Sequence, residues 1–194
     1  MKKFRLLPLL LLLPLFIISQ VKQEKEQRIK KEQFPDKALE LLEEYLEDAR
    51  RIRFYIEMEN GEKGYEAKFK KGKLHYSVEF FENGELEDVE FIIATKDIPN
   101  DSWNAIEEHL GSKFPGYRII KIQQQHQAKE GIDPKTIMHQ AFQNLILPHI
   151  NYEIVFSAKV YGVFHNHEAT FDLEGKLLEI RRDLPPNYDH VLYP

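Results

Sequence analysis

The stretch YEAKF at residues 65–69, followed by KLHYSVEFFENGELEDVEF at residues 73–91, has a second copy later in the chain. The second copy begins with YEIVF at residues 152–156 and continues with HNHEATFDLEGKLLEI at residues 165–180. In both copies apolar residues alternate with polar ones, which is the period of a strand with one buried face. The turn sequence ENG at residues 82–84 is a strong hairpin signal. The two copies therefore predict the same antiparallel unit twice.

A helical pattern precedes the strands of each copy, beginning at Pro35 and again at Pro99. The apolar residues with helical spacing are Ala38, Leu41, Leu42, Tyr45 and Leu46 in the first pattern, and Trp103, Ile106 and Leu110 in the second. This i, i+3, i+4 spacing predicts an amphipathic helix that covers the apolar face of a sheet. We therefore expect an α+β fold of two tandem units, each one helix packed on a four-stranded antiparallel sheet, with the two sheets continuous or adjacent.

The two copies differ in length. The helix starts lie 64 residues apart (99 − 35), whereas the Tyr-Glu pairs lie 87 residues apart (152 − 65), so the second copy has 23 extra residues. Asp133 and Pro134 within this insertion have the pattern of a helix N-cap and first turn. The expected segments are a signal peptide at 1–19, a polar linker or frayed helix at 20–33, a first unit at 34–95, a second unit at 96–184 with an inserted helix at about 126–148, and a C-terminal tail at 185–194.

Charge and composition exclude several classes of protein. Without residues 1–19, the chain has 24 Lys and Arg (27 − 3) against 32 Asp and Glu, a net charge of −8. An acidic chain of this kind lacks the basic surface of a nucleic-acid binder. The chain has no cysteine, which excludes disulfides and thiol catalysis. The signal peptide predicts a periplasmic or secreted location, without stable membrane insertion after its cleavage.

The repeated motif resembles the PepSY-like family of exported bacterial domains, which is similar in fold to the tandem β-lactamase inhibitor protein. The residues that carry the resemblance are Pro35, Tyr65, Glu66 and the turn at 82–84, with Pro99, Tyr152, Glu153 and the turn at 172–175 in the second copy. The resemblance covers the chain from residue 34 to residue 184 except the insertion. It implies a binding protein without catalytic activity, often directed at a protein partner, and it implies no cofactor.

Reaction chemistry has little support in the sequence. The chain contains no G-x-S-x-G, H-E-x-x-H or P-loop motif. The acidic residues Glu85, Glu87, Asp88 and Glu90 are interpreted as a solvated edge that discourages strand pairing. We therefore expect that the protein is not an enzyme.

His165 and His167 are the candidate metal ligands, because alternate residues of a strand share a face. They continue in phase with Ala169 and Phe171, and this phase instead predicts side chains that face the core. A periplasmic metal or small-molecule binding protein that uses these two histidines is the alternative function.

The preferred hypothesis is recognition of a protein or peptide of the cell envelope through the open face of the sheet. The residues that alternation places on this face, and that we expect to contact the partner, are Tyr55, His75, Glu79, Phe81, Ile119 and Val155. Mixed aromatic, aliphatic and charged side chains suit protein recognition. The identity of the partner and the oligomeric state stay open.

Overall fold

The structure is a computed structural model that describes residues 20–22 and 24–183. The expected signal peptide at 1–19 and tail at 185–194 lie outside the described residues. The strands are β1 (Gln20–Lys22), β2 (Glu24–Ile29), β3 (Arg50–Glu59), β4 (Glu62–Lys71), β5 (Leu74–Phe81), β6 (Leu86–Ile92), β7 (Arg118–Gln127), β8 (Asn151–Val160), β9 (Val163–Asp172) and β10 (Leu177–Asp183). The helices are α1 (Asp36–Leu46), α2 (Asn100–Lys113) and α3 (Pro134–Phe142).

All ten strands belong to one sheet, in the order β1-β10-β9-β8-β7-β6-β5-β4-β3-β2. From β2 to β10 each strand pairs with the next one along the chain in antiparallel fashion. The short strand β1 pairs in parallel with β10, from Gln20 opposite Arg181 to Lys22 opposite Asp183. Every strand pairing except that of β1 with β10 joins strands that are consecutive in the chain, which is typical of a meander.

The N-terminal segment closes this sheet. Strand β1 borders β10 and strand β2 borders β3, and a single residue separates β1 from β2. Strands β3 and β10, which lie far apart along the sheet, therefore both pair with the same N-terminal segment. Strands β2 to β10 are odd in number, so the first and last run in the same direction. Because β1 continues into β2, its pairing with β10 has to be parallel.

The predicted arrangement of two units, each one helix on its own four-stranded sheet, is wrong. Strands β6 and β7 pair directly, from Asp88 opposite Gln127 to Ile92 opposite Gln123, so the sheet continues without a boundary between the two copies. Three helices pack on this single sheet. The segment 20–33 is likewise not a linker or frayed helix, because it contributes β1 and β2. Strand β2 pairs through its backbone while residues 25–28 stay exposed, so it has no apolar alternation to reveal it.

The three helices lie on one face of the sheet over two clusters of buried side chains. The first cluster joins Ala38 and Leu42 of α1 to Val78 and Phe80 of β5. The second cluster is built around Ile106 and Leu110 of α2 with Tyr152, Ile154, Phe156, Ala169 and Phe171. Burial of these apolar side chains is the main stabilising contribution available to a chain without disulfides.

Helix α3 lies within the insertion, as the sequence predicts. Its N-cap is Asp133, whose side chain accepts a hydrogen bond from the Lys135 backbone nitrogen at 2.9 Å. The helix packs into the first cluster rather than the second, and Phe142 stacks on Tyr45 with ring centroids 4.1 Å apart. The insertion of the second copy therefore covers part of the first one.

Two turn glycines occupy corresponding places against the two long helices. Gly84 has φ +76° beside Pro35 at the start of α1, and Gly175 has φ +81° beside Ser102 in the first turn of α2. A Cβ atom at residue 175 would overlap the backbone oxygen of Ser102. Glycine is required there both for the positive φ and for the close approach of the helix.

Gly175→Ala is expected to lower the free energy of unfolding by about 3 kcal/mol, because the left-handed backbone and the overlap with Ser102 both have to be accommodated. Gly162→Ala is the matched control, since Gly162 has φ +87° but nothing within 4 Å of a Cβ atom. The control is expected to lose only about 1 kcal/mol. Urea denaturation followed by circular dichroism measures both values, and equal losses would show that the contact with α2 is not tight.

Candidate functional site

The face of the sheet opposite the helices is the candidate site, and we call it the polar face. The cross-strand register places the following residues on it: Arg28, Tyr55, Glu57, Glu66, Lys68, Ser77, Glu79, Asp88, Glu90, Lys121, Gln123, Gln125, Asn151, Glu153, Val155, Glu168 and Arg181. The alternation of the strands puts these side chains out of phase with the apolar ones that contact the helices.

The polar face is enclosed rather than open. Glu66 is 2% exposed and Asp88 is 5% exposed, and Glu90, Glu153 and Glu168 are also buried. Arg181 of β10 forms an ion pair with Glu59 of β3, although these strands are separated by six others in the sheet. The contact requires a sheet that curls toward its polar face, as the pairing of the N-terminal segment with both edges also requires. A closed sheet of this size has an interior that side chains fill.

Basic side chains partly neutralise the buried acids. The Lys68 ammonium lies 2.8 Å from Glu66 Oε2 and 2.7 Å from Glu26 Oε1, and 5.2 Å from the centre of the Tyr55 ring. Arg181 also donates to Glu168 at 2.6 Å. Burial alone would lower the pKa of Arg181, but the Glu168 and Glu59 carboxylates raise it above its usual value. These ion pairs hold charges that would otherwise be costly to bury.

A group of three carboxylates has the spacing of a cation site. The oxygens of Glu26, Glu57 and Glu66 lie within 4.8 Å of one another, so they fit a hard cation such as Ca²⁺ or Mg²⁺. The Lys68 ammonium already contacts Glu26 and Glu66. Lys68 therefore provides the positive charge that these carboxylates need.

A second group joins two acids to a set of amides. Gln125 Nε2 donates to Asp88 Oδ2 at 2.9 Å and to Glu90 Oε1 at 3.1 Å, while Gln123 Nε2 donates to Glu90 Oε2. Asn151 Nδ2 in turn donates to Gln125 Oε1 at 3.1 Å. Asp88 Oδ1 and Gln123 Oε1 have no hydrogen-bond partner among the described residues. Two buried acceptors therefore stand ready for a donor that the described chain does not supply.

Enclosure has a strong effect on the acidity of Asp88. Burial raises the pKa of Asp88 well above its usual range, and the charges of Glu90, Glu87 and Glu153 raise it further. The hydrogen bond from Gln125 opposes this increase in pKa. The cause is the low polarity of the enclosed space, which disfavours the charged form of a carboxyl group.

The structure separates the six side chains that the sequence predicts as partner contacts. Tyr55, Glu79 and Val155 lie on the polar face and are partly buried. His75 and Phe81 are exposed near opposite ends of β5, and their separation of six positions (81 − 75) corresponds to about 20 Å. These two side chains cannot contact the same small group of a partner.

Ile119, the sixth predicted contact, lies on the opposite face. A bulge between Ile119 and Lys121 shifts the alternation of β7 by one residue. Ile119 therefore packs against the second core cluster, whereas Ile120 is 56% exposed. The prediction for Ile119 is wrong because a bulge reverses the faces of the residues before it.

The acids of β6 were also misassigned by the sequence interpretation. Asp88 and Glu90 are buried in an interior strand instead of forming a solvated edge. The available signal was their alternation with Val89 and Phe91, which fits a strand with two different faces. Gln123 and Gln125 in the neighbouring strand are the partners of these acids.

His165 and His167 face the helices, as the phase of β9 predicts. His167 is buried beside Phe114 and Phe156, with ring centroids 5.0 and 5.3 Å away. Burial lowers the pKa of His167. His165 Nδ1 accepts a hydrogen bond from Arg182 at 2.7 Å, and a guanidinium group at this position disfavours a metal ion. The geometry therefore favours a structural role for both histidines.

Comparison with known proteins gives structural neighbours but no family assignment. No family model and no curated protein matches the chain. A DUF2874 family protein from Bacteroides ovatus matches with a TM-score of 0.52 and 13% identity, over 77% of this chain and 87% of that one. A BLIP-like protein from Bacteroides fragilis matches with a TM-score of 0.48 and 14% identity, over 83% and 93%. A protein from Bacteroides eggerthii described as periplasmic matches with a TM-score of 0.49 and 13% identity, over 77% and 88%.

The similarity to the DUF2874 family protein extends to the fold, whereas the resemblance to PepSY-like domains and to the tandem β-lactamase inhibitor protein stays a prediction. Two of the structural neighbours are described as periplasmic proteins. Of the helices in the described part of the chain, none combines the length and the apolar composition that a bilayer span requires.

Asp88→Asn is expected to stabilise the protein at pH 8 by more than about 1 kcal/mol relative to the original chain, and to have little effect near pH 4. The pKa of Asp88 in the folded protein lies above its ordinary value of 3.8. The stability that Asp88 contributes is thus complete below that value and is lost as the pH rises through the folded-state pKa. Asparagine keeps the contact with Gln125 and has no charge to bury.

Urea unfolding of Asp88→Asn and the original chain at pH 4, 6 and 8 tests this expectation. Asp48→Asn is the control, because Asp48 is exposed just after α1. The control is expected to show no comparable growth of its effect with pH. A constant difference between Asp88→Asn and the original chain would contradict the assignment of a raised pKa to Asp88.

Proposed function

We propose that the protein is a periplasmic, non-catalytic binding protein whose polar face takes up a basic segment of a protein or peptide partner. The observation that carries the proposal is the excess of acids on this face together with the unpaired oxygen of buried Asp88. A Lys or Arg side chain ends in a positively charged group that donates hydrogen bonds, so it complements the carboxylate oxygens of this face.

The balance of charge supports a basic partner. The register places on the polar face and its margin the acids Glu26, Glu57, Glu59, Glu62, Glu66, Glu79, Asp88, Glu90, Glu153, Glu168, Asp172 and Glu179, and the bases Arg28, Arg53, Lys68, Lys70, Arg118, Lys121, Lys159 and Arg181. Three bases contact buried acids: Lys68 at Glu66, Lys121 at 4.0 Å from Glu153, and Arg181 at Glu168. Asp88 is held instead by an amide. Added positive charge near Asp88 would therefore lower the electrostatic energy of the face.

Phe81 is the proposed apolar anchor at the margin of the site. It is 47% exposed and borders a shallow depression lined also by Gly61, Lys63 and Asn83. Aromatic side chains that are partly exposed contribute strongly to protein recognition. Tyr55, Glu79 and Val155 are proposed to line the polar face once the partner has entered. His75 is left outside this group by its distance from Phe81.

A non-catalytic role is proposed because the sequence has none of the common reaction motifs and because the polar side chains bond mainly to one another. The periplasmic location is proposed from the predicted signal peptide and from neighbours described as periplasmic. We do not propose His165 and His167 as metal ligands, because Arg182 donates a hydrogen bond to His165, and Phe114 and Phe156 pack against His167.

Capture of partners from a periplasmic extract of the source cells tests the proposal. The immobilised original chain is compared with the double variant Asp88→Asn, Glu90→Gln and with the control Glu40→Gln, Glu43→Gln, which removes the same charge from the exposed surface of α1. The original chain and the control are expected to retain a common basic protein, and the double variant at least ten-fold less of it. Salt at about 0.5 M should release it, since screening weakens charge pairs.

Circular dichroism and urea unfolding establish that each variant is folded before capture is compared. Equal capture by the double variant and the control would exclude the acids of β6 from the binding site. Capture of an acidic partner would contradict the proposed charge complementarity.

A further inference from the structure

We infer that the N-terminal segment formed by β1 and β2, here called the strap, is displaceable and controls access to the polar face. This inference rests on the proposed function, because it describes how a partner would reach the binding face. The enclosed state has the acids buried, so a partner can contact Asp88 only after the sheet opens at one edge.

The described part of the strap is held mainly by backbone pairing, with six residues of β2 paired to β3. Its pairing with β10 extends over three residues and is parallel, which is the less stable kind of pairing. Its side chains from Lys25 to Arg28 are exposed, and Ile29 alone among the described side chains of β2 packs against the first core cluster. The described side chains of β2 therefore bury little apolar area, and segments of this kind open more readily than the core strands of a protein.

Charge at the joint between the strap and the sheet also favours release. Glu26 brings a third carboxylate to the pair Glu57 and Glu66, and all three lie within 4.8 Å of one another. Lys68 of β4 contacts Glu26 of the strap at 2.7 Å and Glu66 at 2.8 Å, so its ammonium group joins the strap to β4. Loss of the strap would remove one negative charge from this group.

A second contact joins the two ends of the meander independently of the strap. Arg181 of β10 pairs with Glu59 of β3 and with Glu168 of β9. The Glu168 and Glu59 carboxylates both stabilise the charged guanidinium of Arg181, and the ion pair of Arg181 with Glu59 joins β10 to β3. Replacement of Arg181 by a neutral side chain would remove this second contact and leave the pairing of the strap with β10 and β3 in place.

Opening at this seam leaves the helix side of the sheet intact. The helices pack on the opposite face, where Val78 of β5 is fully buried in the first core cluster. Ser77, the residue before it, lies on the polar face and is 7% exposed. These two neighbours therefore distinguish opening of the seam from unfolding of the whole domain.

Thiol labelling tests the inference without any partner, since the chain has no cysteine of its own. Ser77→Cys and Val78→Cys are prepared separately, and the rate of reaction with a disulfide reagent is measured in native buffer. Cys at 77 is expected to react at least about 100-fold faster than Cys at 78, which becomes accessible only through unfolding of the helix side. Similar rates for the two would overturn the inference.

Arg181→Gln, added to each reporter, identifies the seam as the place of opening. It is expected to speed the reaction at 77 about ten-fold and to leave the reaction at 78 unchanged, because a buried ion pair is lost only at the seam. Lys37→Gln is the control, since Lys37 pairs with Glu85 at 2.8 Å on the exposed surface away from the seam. An unchanged rate at 77 in Arg181→Gln would contradict the inference.

Hydrogen exchange on the original chain gives a second measurement that needs no substitution. Amides of β2 and β10 are expected to exchange together and faster than those of β5, and protection of β2 equal to that of β5 would contradict the inference. Failure of the two proposals can be told apart. Seam opening without capture of a basic protein overturns the proposed function alone, whereas capture with equal labelling at 77 and 78 overturns the strap alone.

Discussion

The curl of the sheet, which brings β1 beside β10 and Arg181 of β10 to Glu59 of β3, encloses the acids of the polar face. On an open sheet, a row of carboxylates faces water and keeps its ordinary acidity. On a sheet that curls until its ends meet, the same row loses most of its solvent, as the burial of Glu66 and the raised pKa of Asp88 show. Backbone hydrogen bonds at the seam, and the Arg181 contact with Glu59, therefore change the chemistry of residues several strands away.

Enclosure explains why this face contains both ion pairs and amides. A buried carboxylate needs a cation or several donors, and the three bases Lys68, Lys121 and Arg181 serve different acids. Gln123 and Gln125 supply neutral donors to the remaining acids, Asp88 and Glu90, and Asn151 donates in turn to Gln125. Amides satisfy hydrogen bonds without adding positive charge, so the face keeps its excess of acids. This combination distinguishes it from an apolar core and from a solvated surface.

The sequence predicts local features of this fold more accurately than its closure. Alternation places Tyr76, Val78 and Phe80 in the core, and Asp133 with Pro134 locates α3, because both signals depend on neighbouring residues. Strand β2 forms through backbone pairing with β3 and leaves no apolar pattern. The bulge before Lys121 adds one residue without a sequence signature, so Ile119 is assigned to the wrong face.

Closure itself depends on residues far apart in the chain. Arg181 and Glu59 are 122 positions apart, and their contact follows from the accumulated twist and curl of the intervening strands. The buried state of Asp88 and Glu90 follows from the same curvature, which is why their local sequence resembles a solvated edge. Only the alternation with Val89 and Phe91 indicates that these acids belong to a strand with a covered face.

If the strap controls access, binding and opening are linked by thermodynamics. A partner that contacts only the open state has an apparent affinity reduced by the fraction of molecules that are open. Weakening the seam would then raise the affinity for a basic partner even though Arg181 contributes no contact to it, and would do so by the same factor that it raises the open fraction. Removing acids from β6 would act in the opposite sense, because it removes the contacts themselves. Electrostatic repulsion among the acids of the closed face favours the open state, and attraction of a cationic partner favours the same state. Seam opening and partner binding are therefore coupled.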